Sequence, residues 1–393
     1  MLNEISRKFI QEHRSDDVRK LALQAGRFPL SVPDFKWALQ QIEGKQLIEH
    51  KIPEWYTRED ILYPRRLSIE QCSSQQTAVY KASLLAGKTI VDLTGGWGVD
   101  HAFIAPQFEQ SVYIEQQKEL AEIAAHNFRT LGLKQTKVVH VDGVEYLREM
   151  QKADCVYVDP ARRSSEGKKV ISIQNCEPDL SSIQRLLLEK ADRIWIKYSP
   201  MLDITQALQT LEYVVEIHIV SVENECKELL FLLKKESKPL TIQCVNLRKK
   251  GNQQTQFSLS EEKACEAVFT SELESYLYEP NASILKSGCF KSVTRHFPVK
   301  KLHKDSHLYT SDQWVSDFPG RTFRVKTSSS FNKKELKTWM LGFEKANLST
   351  RNFPLKTEEL RKKLRLKEGG SVYLFATTIG AKHVLIQCES AEK

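Results

Sequence analysis

Val91-Asp92-Leu93-Thr94-Gly95-Gly96-Trp97-Gly98-Val99-Asp100 is the stretch that decides the fold of this chain. Thr89 to Leu93 reads as a short, mostly buried strand, and the mostly apolar run from His101 to Ala105 begins a helix. A glycine-rich turn joins them. Strand, glycine turn and helix in that order build a nucleotide-type binding crevice. Glycine is needed where backbone approaches a ligand closely or takes a positive φ.

The neighbouring segments repeat this logic. Gln110 to Glu115 reads as a second strand ending in an acid, and helical periodicity runs from Lys118 through Leu131. Lys137 to Val141 reads as a third strand before Asp142-Gly143, and Ala153 to Val158 as a fourth before Asp159-Pro160. Arg193 to Tyr198 is a fifth. Val214 to Val222 and Glu228 to Lys234 read as a hairpin linked by Glu223 to Lys227. Strands alternating with helices predict an α/β parallel sheet covered on both faces. Asp92, Glu115, Asp142 and Asp159 then line its carboxyl edge, where such folds bind ligands. Glu115 stands 23 positions after Asp92, where these folds place a ribose-binding acid. The dinucleotide fingerprint G-x-G-x-x-G fails, because His101 occupies its third glycine position.

These residues resemble the class I S-adenosylmethionine-dependent methyltransferases, with their Rossmann-like seven-stranded sheet and reversed last strand. Asp92, Gly96 and Gly98 match their first motif, and Thr94, Gly95 and Gly143 belong to the same cofactor-binding loops. The resemblance implies that Glu115 grips the cofactor ribose and that Asp142 contacts the adenine amino group. It implies that Asp159-Pro160 faces the methyl-accepting atom. Glu70 to Ala78, Asp159-Pro160-Ala161-Arg162-Arg163 and Ser199-Pro200-Met201-Leu202-Asp203 narrow the likeness to a bacterial methyltransferase family with a THUMP-like C-terminal domain. Leu277 to Asn281, Phe318 to Arg321 and Arg351 to Pro354 look like that same family. THUMP domains occur in RNA-modifying enzymes, so RNA methylation is the implied activity.

The chain has 393 residues, enough for two or three domains. We expect a helical region over 1–64, with Pro53 and Pro64 marking a linker-like stretch. The methyltransferase domain is expected over 65–236 and a basic α+β domain, THUMP-like or ferredoxin-like, over 237–393. The polar break Lys235-Glu236-Ser237-Lys238-Pro239 sets that last boundary. The helical region reads either as an RNA-contacting lid or as a packing appendage. Leu67 to Leu85 is predicted as one helix leading into the first strand. Pro239–Lys393 holds 26 Lys/Arg against 16 Asp/Glu, and so carries all of the net charge of +8. That is either the footprint of a polyanion-binding module or a solvated basic surface. Arg321-Thr322-Phe323-Arg324, Arg351-Asn352-Phe353 and Arg361-Lys362-Lys363-Leu364-Arg365 interleave basic with apolar or aromatic residues. Eight cysteines show no C-x-x-C pair, so a zinc or redox site is unsupported. The absence of a long apolar run and of a signal-peptide pattern leads us to expect a cytoplasmic protein.

Methyl transfer is an in-line attack, so the protein mainly holds donor and acceptor close and aligned. The expected catalytic residues are Asp159, Pro160 and Arg162, with no metal. Base-amine methyltransferases commonly carry D-P-P-(aromatic), and Ala161 and Arg162 replace its last two residues here. Arg162 and Arg163 read either as groups that stack on a base or pair with phosphate, or as a surface pair. A covalent route needs a cysteine beside the base; Ser199 stands where one such class has it. Direct attack by a nitrogen, with the exocyclic amine of guanine or adenine favoured, is the leading expectation. Asp100 either accepts from the cofactor amino group or caps its helix. Lys197 and Asp203 flank the Ser199-Pro200 turn and either shape the acceptor pocket or form a salt bridge. The alternatives are a small-molecule or protein methyltransferase, and a catalytically silent RNA-binding protein that keeps the cofactor fold.

Overall fold

The computed structural model describes residues 4–28, 31–162, 172–332, 335–336, 339 and 344–391, and the side chains of Val32, Pro33 and Arg162 lie outside that description. The chain forms two compact units: Met1–Val215 with Leu230–Ser237, and Glu216–Leu229 with Lys238–Lys393. Residues 1–64 thus share a unit with most of the segment expected over 65–236. The polar break at Lys235–Pro239 lies where the chain leaves that unit, although Glu216–Leu229 belongs with the second.

Six helices open the first unit: α1 (Glu4–Glu12), α2 (Val18–Ala22), α3 (Val32–Ile48), α4 (Pro53–Tyr56), α5 (Arg66–Gln71) and α6 (Gln75–Leu84). The single helix predicted over 67–85 is two. The break falls at Cys72-Ser73-Ser74, where Ser74 caps α6 by accepting from the Thr77 amide. Then come β1 (Gly87–Asp92), α7 (Val99–Ile104), β2 (Phe108–Glu115), α8 (Lys118–Thr130), β3 (Thr136–His140), α9 (Gly143–Glu149) and β4 (Ala153–Val158). A two-residue ladder, β5 (Ala161–Arg162) with β6 (Cys176–Glu177), precedes α10 (Leu180–Lys190), β7 (Ala191–Tyr198) and α11 (Ile204–Thr210). β8 (Val214–Val222) and β9 (Glu225–Leu233) follow. Their link is tighter than expected, a two-residue turn in which Glu223 and Asn224 have φ of 46° and 67°.

The strand order is β3-β2-β1-β4-β7-β9-β8, continued by β10 (Thr241–Leu247) and β11 (Gln253–Ser258). The seven expected strands are therefore present, and the sheet has nine. β10 pairs parallel with β8 from Thr241↔Glu216 to Leu247↔Val222, and β11 returns antiparallel. β8 carries apolar residues on both faces, Ile217, Ile219 and Val220 among them. Such a strand is stable only with a neighbour on each edge.

The first core gathers Ile48, Ile52, Trp55, Ile61 and Tyr63 with Trp97, Val99, Tyr113 and Phe128. Trp55 meets Trp97 edge-to-face at 5.0 Å, and Trp97 Nε1 donates to the Leu62 carbonyl at 3.1 Å. The helical region therefore packs directly on the glycine turn.

In the second unit α12 (Leu259–Ala264), β12 (Tyr276–Pro280), α13 (Ala282–Ser287), α14 (Val293–His296), β13 (Lys300–Lys301), β14 (Tyr309–Ser311), β15 (Gly320–Ser330), β16 (Asn347–Arg351), α15 (Thr357–Leu364), β17 (Val372–Ile379) and β18 (Lys382–Ser390) follow. Their sheet runs β13-β14-β12-β15-β18-β17-β16. The expected α+β pattern is present. Part of the segment expected over 333–346 lies outside the described residues. Among the described residues no helix is long and apolar enough to cross a membrane.

Candidate active site at the carboxyl edge of the first sheet

Register brings the predicted acids to one edge. Asp92 pairs with Tyr113 on one side and Tyr157 on the other, Glu115 with His140, and Val158 with Ile196. Asp159 and Lys197 are therefore the next residues out on adjacent strands.

The glycine turn is held from below. The Gly95 amide donates to the Ile114 carbonyl at 2.8 Å, and a Cβ on Gly95 would stand 2.2 Å from the Tyr113 ring. A Cβ on Gly98 would meet the Phe128 ring at 2.7 Å, and its φ is +86°. Those two glycines make room for aromatic packing beneath the turn. Gly96 differs: its φ is +64°, and a Cβ there would meet the Thr94 carbonyl oxygen only at 4.0 Å, an ordinary contact. Its amide donates to Glu115 Oε2 at 2.7 Å, and the Gln117 amide donates to Oε1 at 2.7 Å. Each Glu115 oxygen keeps acceptor capacity beyond these bonds. Burial raises the Glu115 pKa, against the pull of the amides.

The Thr94 amide donates to Asp92 Oδ1 at 3.1 Å, while Thr94 Oγ1 accepts from the Asp159 amide at 2.6 Å. Thr94 thus ties the glycine turn to the Asp159-Pro160 turn. Asp142 Oδ1 accepts from the amides of Val144 and Glu145 at 2.9 and 3.0 Å, capping α9. Gly143 is required because a Cβ there would reach the Leu93 carbonyl at 2.3 Å. His101 lies buried beneath the turn against Tyr113 and Phe128, with Nδ1 3.5 Å from Asp92 Oδ2.

Asp100 does not take the capping role. The N-cap of α7 is Gly98, and the Asp100 carboxylate is buried away from the helix amides. Its Oδ2 accepts from Tyr157 OH at 2.8 Å, Ser73 Oγ at 2.9 Å and Lys197 Nζ at 3.1 Å, and Lys81 Nζ lies 3.2 Å from Oδ1. Surrounded by these donors, Asp100 serves as a counter-ion. Burial pushes its pKa up, but Lys197 and Lys81 more than reverse this and hold it well below the usual carboxylate range. Lys197 Nζ also reaches Asp159 Oδ2 at 2.6 Å. Among the described residues, two ammonium groups and two carboxylates thus form one electrically balanced cluster, with Ser73 Oγ accepting from Lys81 at 3.1 Å and from Lys197 at 3.2 Å. Lys81 is fully buried, whereas the Asp159 side chain is 38% exposed. Burial raises the Asp159 pKa, opposed by Lys197 and reinforced by Asp100.

Sequence reading missed Ser73, Lys81 and Tyr157 as members of this cluster. The available signal was a charged residue inside an apolar strand, Ile194-Trp195-Ile196-Lys197-Tyr198, which needs a buried partner. Of the two readings of Lys197, the ion pair is present; Asp203 caps α11 by accepting from the Gln206 amide at 2.8 Å. The side chain of Arg162 and the whole of Arg163 lie outside the described residues. In the second unit, Arg321 and Arg351 both pair with the buried Glu279 carboxylate, the latter at 2.7 Å.

Residues 276–319 match a ferredoxin-like domain, and residues 320–390 match a THUMP domain-like family. A crystal structure of a candidate methyltransferase from Porphyromonas gingivalis W83 is 34% identical, with 98% of each chain covered and a TM-score of 0.90. An rRNA methylase from Streptococcus thermophilus is 15% identical over 41% of this chain and 95% of its own, with a TM-score of 0.31. A candidate methyltransferase from Streptococcus mutans in complex with SAH is 12% identical over 40% and 94%, with a TM-score of 0.30. No curated protein matches the chain. An α/β sheet edged by a glycine turn and acids, followed by the two matched domains, defines a class of protein. The chain belongs to the class I S-adenosylmethionine-dependent methyltransferases that carry a THUMP-like C-terminal domain. S-adenosylmethionine is its cofactor, and the left-handed glycine beside a buried, partly unsaturated carboxylate fits a nucleoside-bearing group.

Proposed function

We propose that this methyltransferase modifies a nitrogen of an RNA base, with the exocyclic amine of guanine or adenine as acceptor. The observation that carries the reading is the placement of Asp159: a half-exposed carboxylate on the turn after β4, hydrogen-bonded through its amide to the glycine-turn threonine. In this reading Glu115 holds the ribose hydroxyls, Asp142 meets the adenine, and Asp92, Thr94, Gly95, Gly96, Gly98 and Gly143 shape the cofactor crevice. When bound, S-adenosylmethionine supplies a methyl group made electrophilic by its sulfonium. Asp159 accepts a hydrogen bond from the acceptor N–H and takes up the proton that nitrogen sheds, while Pro160 fixes the turn. Arg162 stacks on the base or pairs with its phosphate.

The thiols support direct rather than covalent transfer. Cys72, next to Ser73 of the cluster, is pushed up to about 11 by burial, and Cys155 to about 12; a nucleophilic thiol needs the opposite shift. The positive excess after Pro239 and the THUMP-like match support RNA as the partner, encountered in the cytoplasm.

The test is transfer of labelled methyl groups from S-adenosylmethionine to total RNA from cells lacking the protein. RNase-sensitive incorporation, followed by nucleoside analysis giving an N-methylated purine, is the expected result. No incorporation by a protein that binds the cofactor would transfer the assignment to a small-molecule or protein acceptor.

A further inference from the structure

The buried cluster behind Asp159 is larger than a cofactor crevice requires. Lys197 sits at the end of β7, almost wholly buried, and among the described residues its ammonium meets Asp159 Oδ2 at 2.6 Å, Asp100 Oδ2 at 3.1 Å and Ser73 Oγ at 3.2 Å. Asp100 is itself anchored by Tyr157 from β4 and by Lys81 from α6. Four elements therefore immobilise one ammonium group, and that group touches the one member of the cluster that reaches the crevice. Burying this many charges is costly unless all are paired. Asp159 has to be ionised to take up the proton that the acceptor nitrogen sheds, yet it faces Asp100 across the lysine.

We propose that Lys197 is a positioning residue for the acceptor: its ammonium holds Asp159 Oδ2, keeping the carboxylate ionised and turned so that its other oxygen meets the acceptor N–H. Lys81, Asp100, Ser73 and Tyr157 are the brace that fixes Lys197. The inference rests on the reading of Asp159 as the acceptor-facing acid. It also adds a selection rule. A carboxylate held this way favours acceptors that donate an N–H and disfavours those that present only a lone pair or an anion.

Among the described residues, the titratable groups facing Asp159 are Lys197 on β7, Asp100 on α7 and Lys81 on α6. Lys197→Met keeps most of the unbranched side chain and removes its charge. The carboxyl 13C signal of Asp159, assigned through Asp159→Asn, is titrated in the full chain without cofactor. Loss of the neighbouring cation should raise the midpoint by about 1–3 pH units; an unchanged midpoint overturns the proposal. Lys197→Arg keeps the charge, should hold the midpoint near that of the wild type, and replaces Lys197→Met if that variant fails to fold: a midpoint raised in the arginine variant would then count against the proposal. S-adenosylmethionine affinity, read by calorimetry, should stay within a few-fold of wild type.

Methyl transfer to RNA should fall about 100-fold in kcat for Lys197→Met, the scale of a misplaced reacting group, with its acid limb moved to higher pH. In the Asp159→Asn background, Lys197→Met should cause no further loss. Full activity in Lys197→Met, or equal losses in both backgrounds, overturns the proposal. If the wild type methylates no RNA, the RNA reading fails, while the Asp159 titration still decides the role of Lys197.

Discussion

At the scale of single residues, Glu115 and Asp100 do different work from acids of similar burial. Glu115 binds two main-chain amides and is offered to the crevice. Glu115→Gln should weaken S-adenosylmethionine binding by about 10-fold or more, the worth of a charged hydrogen bond, as read by calorimetry. It should also cost about 1–3 kcal/mol in stability, read by thermal unfolding, since the amide oxygen can accept from only one of the two N–H groups. Asp100 is a counter-ion. A carboxyl whose folded pKa is depressed contributes stability that is fully present above its ordinary value of 3.8 and is lost as pH falls below that value toward the folded pKa. Asp100→Asn should therefore cost about 3–5 kcal/mol at neutral pH, by stranding Lys81 and Lys197, and should flatten the acid limb of stability below about pH 4. Denaturant unfolding at a series of pH values measures both effects.

At the scale of elements, the strand-turn-helix of β1 and α7 is held in place by what lies beneath it. Gly95→Ala would drive a methyl into the Tyr113 ring and should cost about 1–3 kcal/mol as overpacking. Gly96→Ala meets no closer atom than the Thr94 carbonyl oxygen at 4.0 Å and should cost about 1–2 kcal/mol, through its left-handed φ. Thermal unfolding measures both costs. The helices before β1 are part of the same construction, because Trp55 and Trp97 share a core. Trp55→Ala should cost about 3–5 kcal/mol and weaken cofactor binding as well, although Trp55 lies outside the glycine turn. A lid would show the opposite pattern, with binding altered and stability kept.

At the scale of the whole molecule, β10 and β11 bear on how RNA binding can be tested. Removing everything after Pro239 would strip β10 from β8 and expose the edge of an apolar strand, so that truncation is expected to aggregate. Substitution in the full chain is the cleaner route. Lys362 and Arg365 are exposed at the end of α15. If this helix meets RNA, Lys362→Gln and Arg365→Asn should each reduce the slope of log affinity against log salt by about 0.7. Cofactor affinity should be unchanged, and a constant slope would place the RNA surface elsewhere. Arg321 and Arg351 are poorer probes, because removing either leaves buried Glu279 short of a partner.

The sequence by itself determined the alternation of strands and helices, the glycine turn and the acids at strand ends. Each depends on local periodicity or on a backbone requirement of one residue. Ala153–Val158 and Val214–Val222 were legible to the residue for that reason. Tertiary structure alone decided that β10 and β11 extend the sheet, since strand pairing across a polar break leaves no local trace. It alone decided which atoms fill the space under Gly95 and Gly98. It also showed Asp100 to be a counter-ion rather than a helix cap, because Ser73, Lys81, Tyr157 and Lys197 are far apart along the chain. A buried charge announces that a partner exists; only the packing of α6, α7, β4 and β7 around one point says which partner it is.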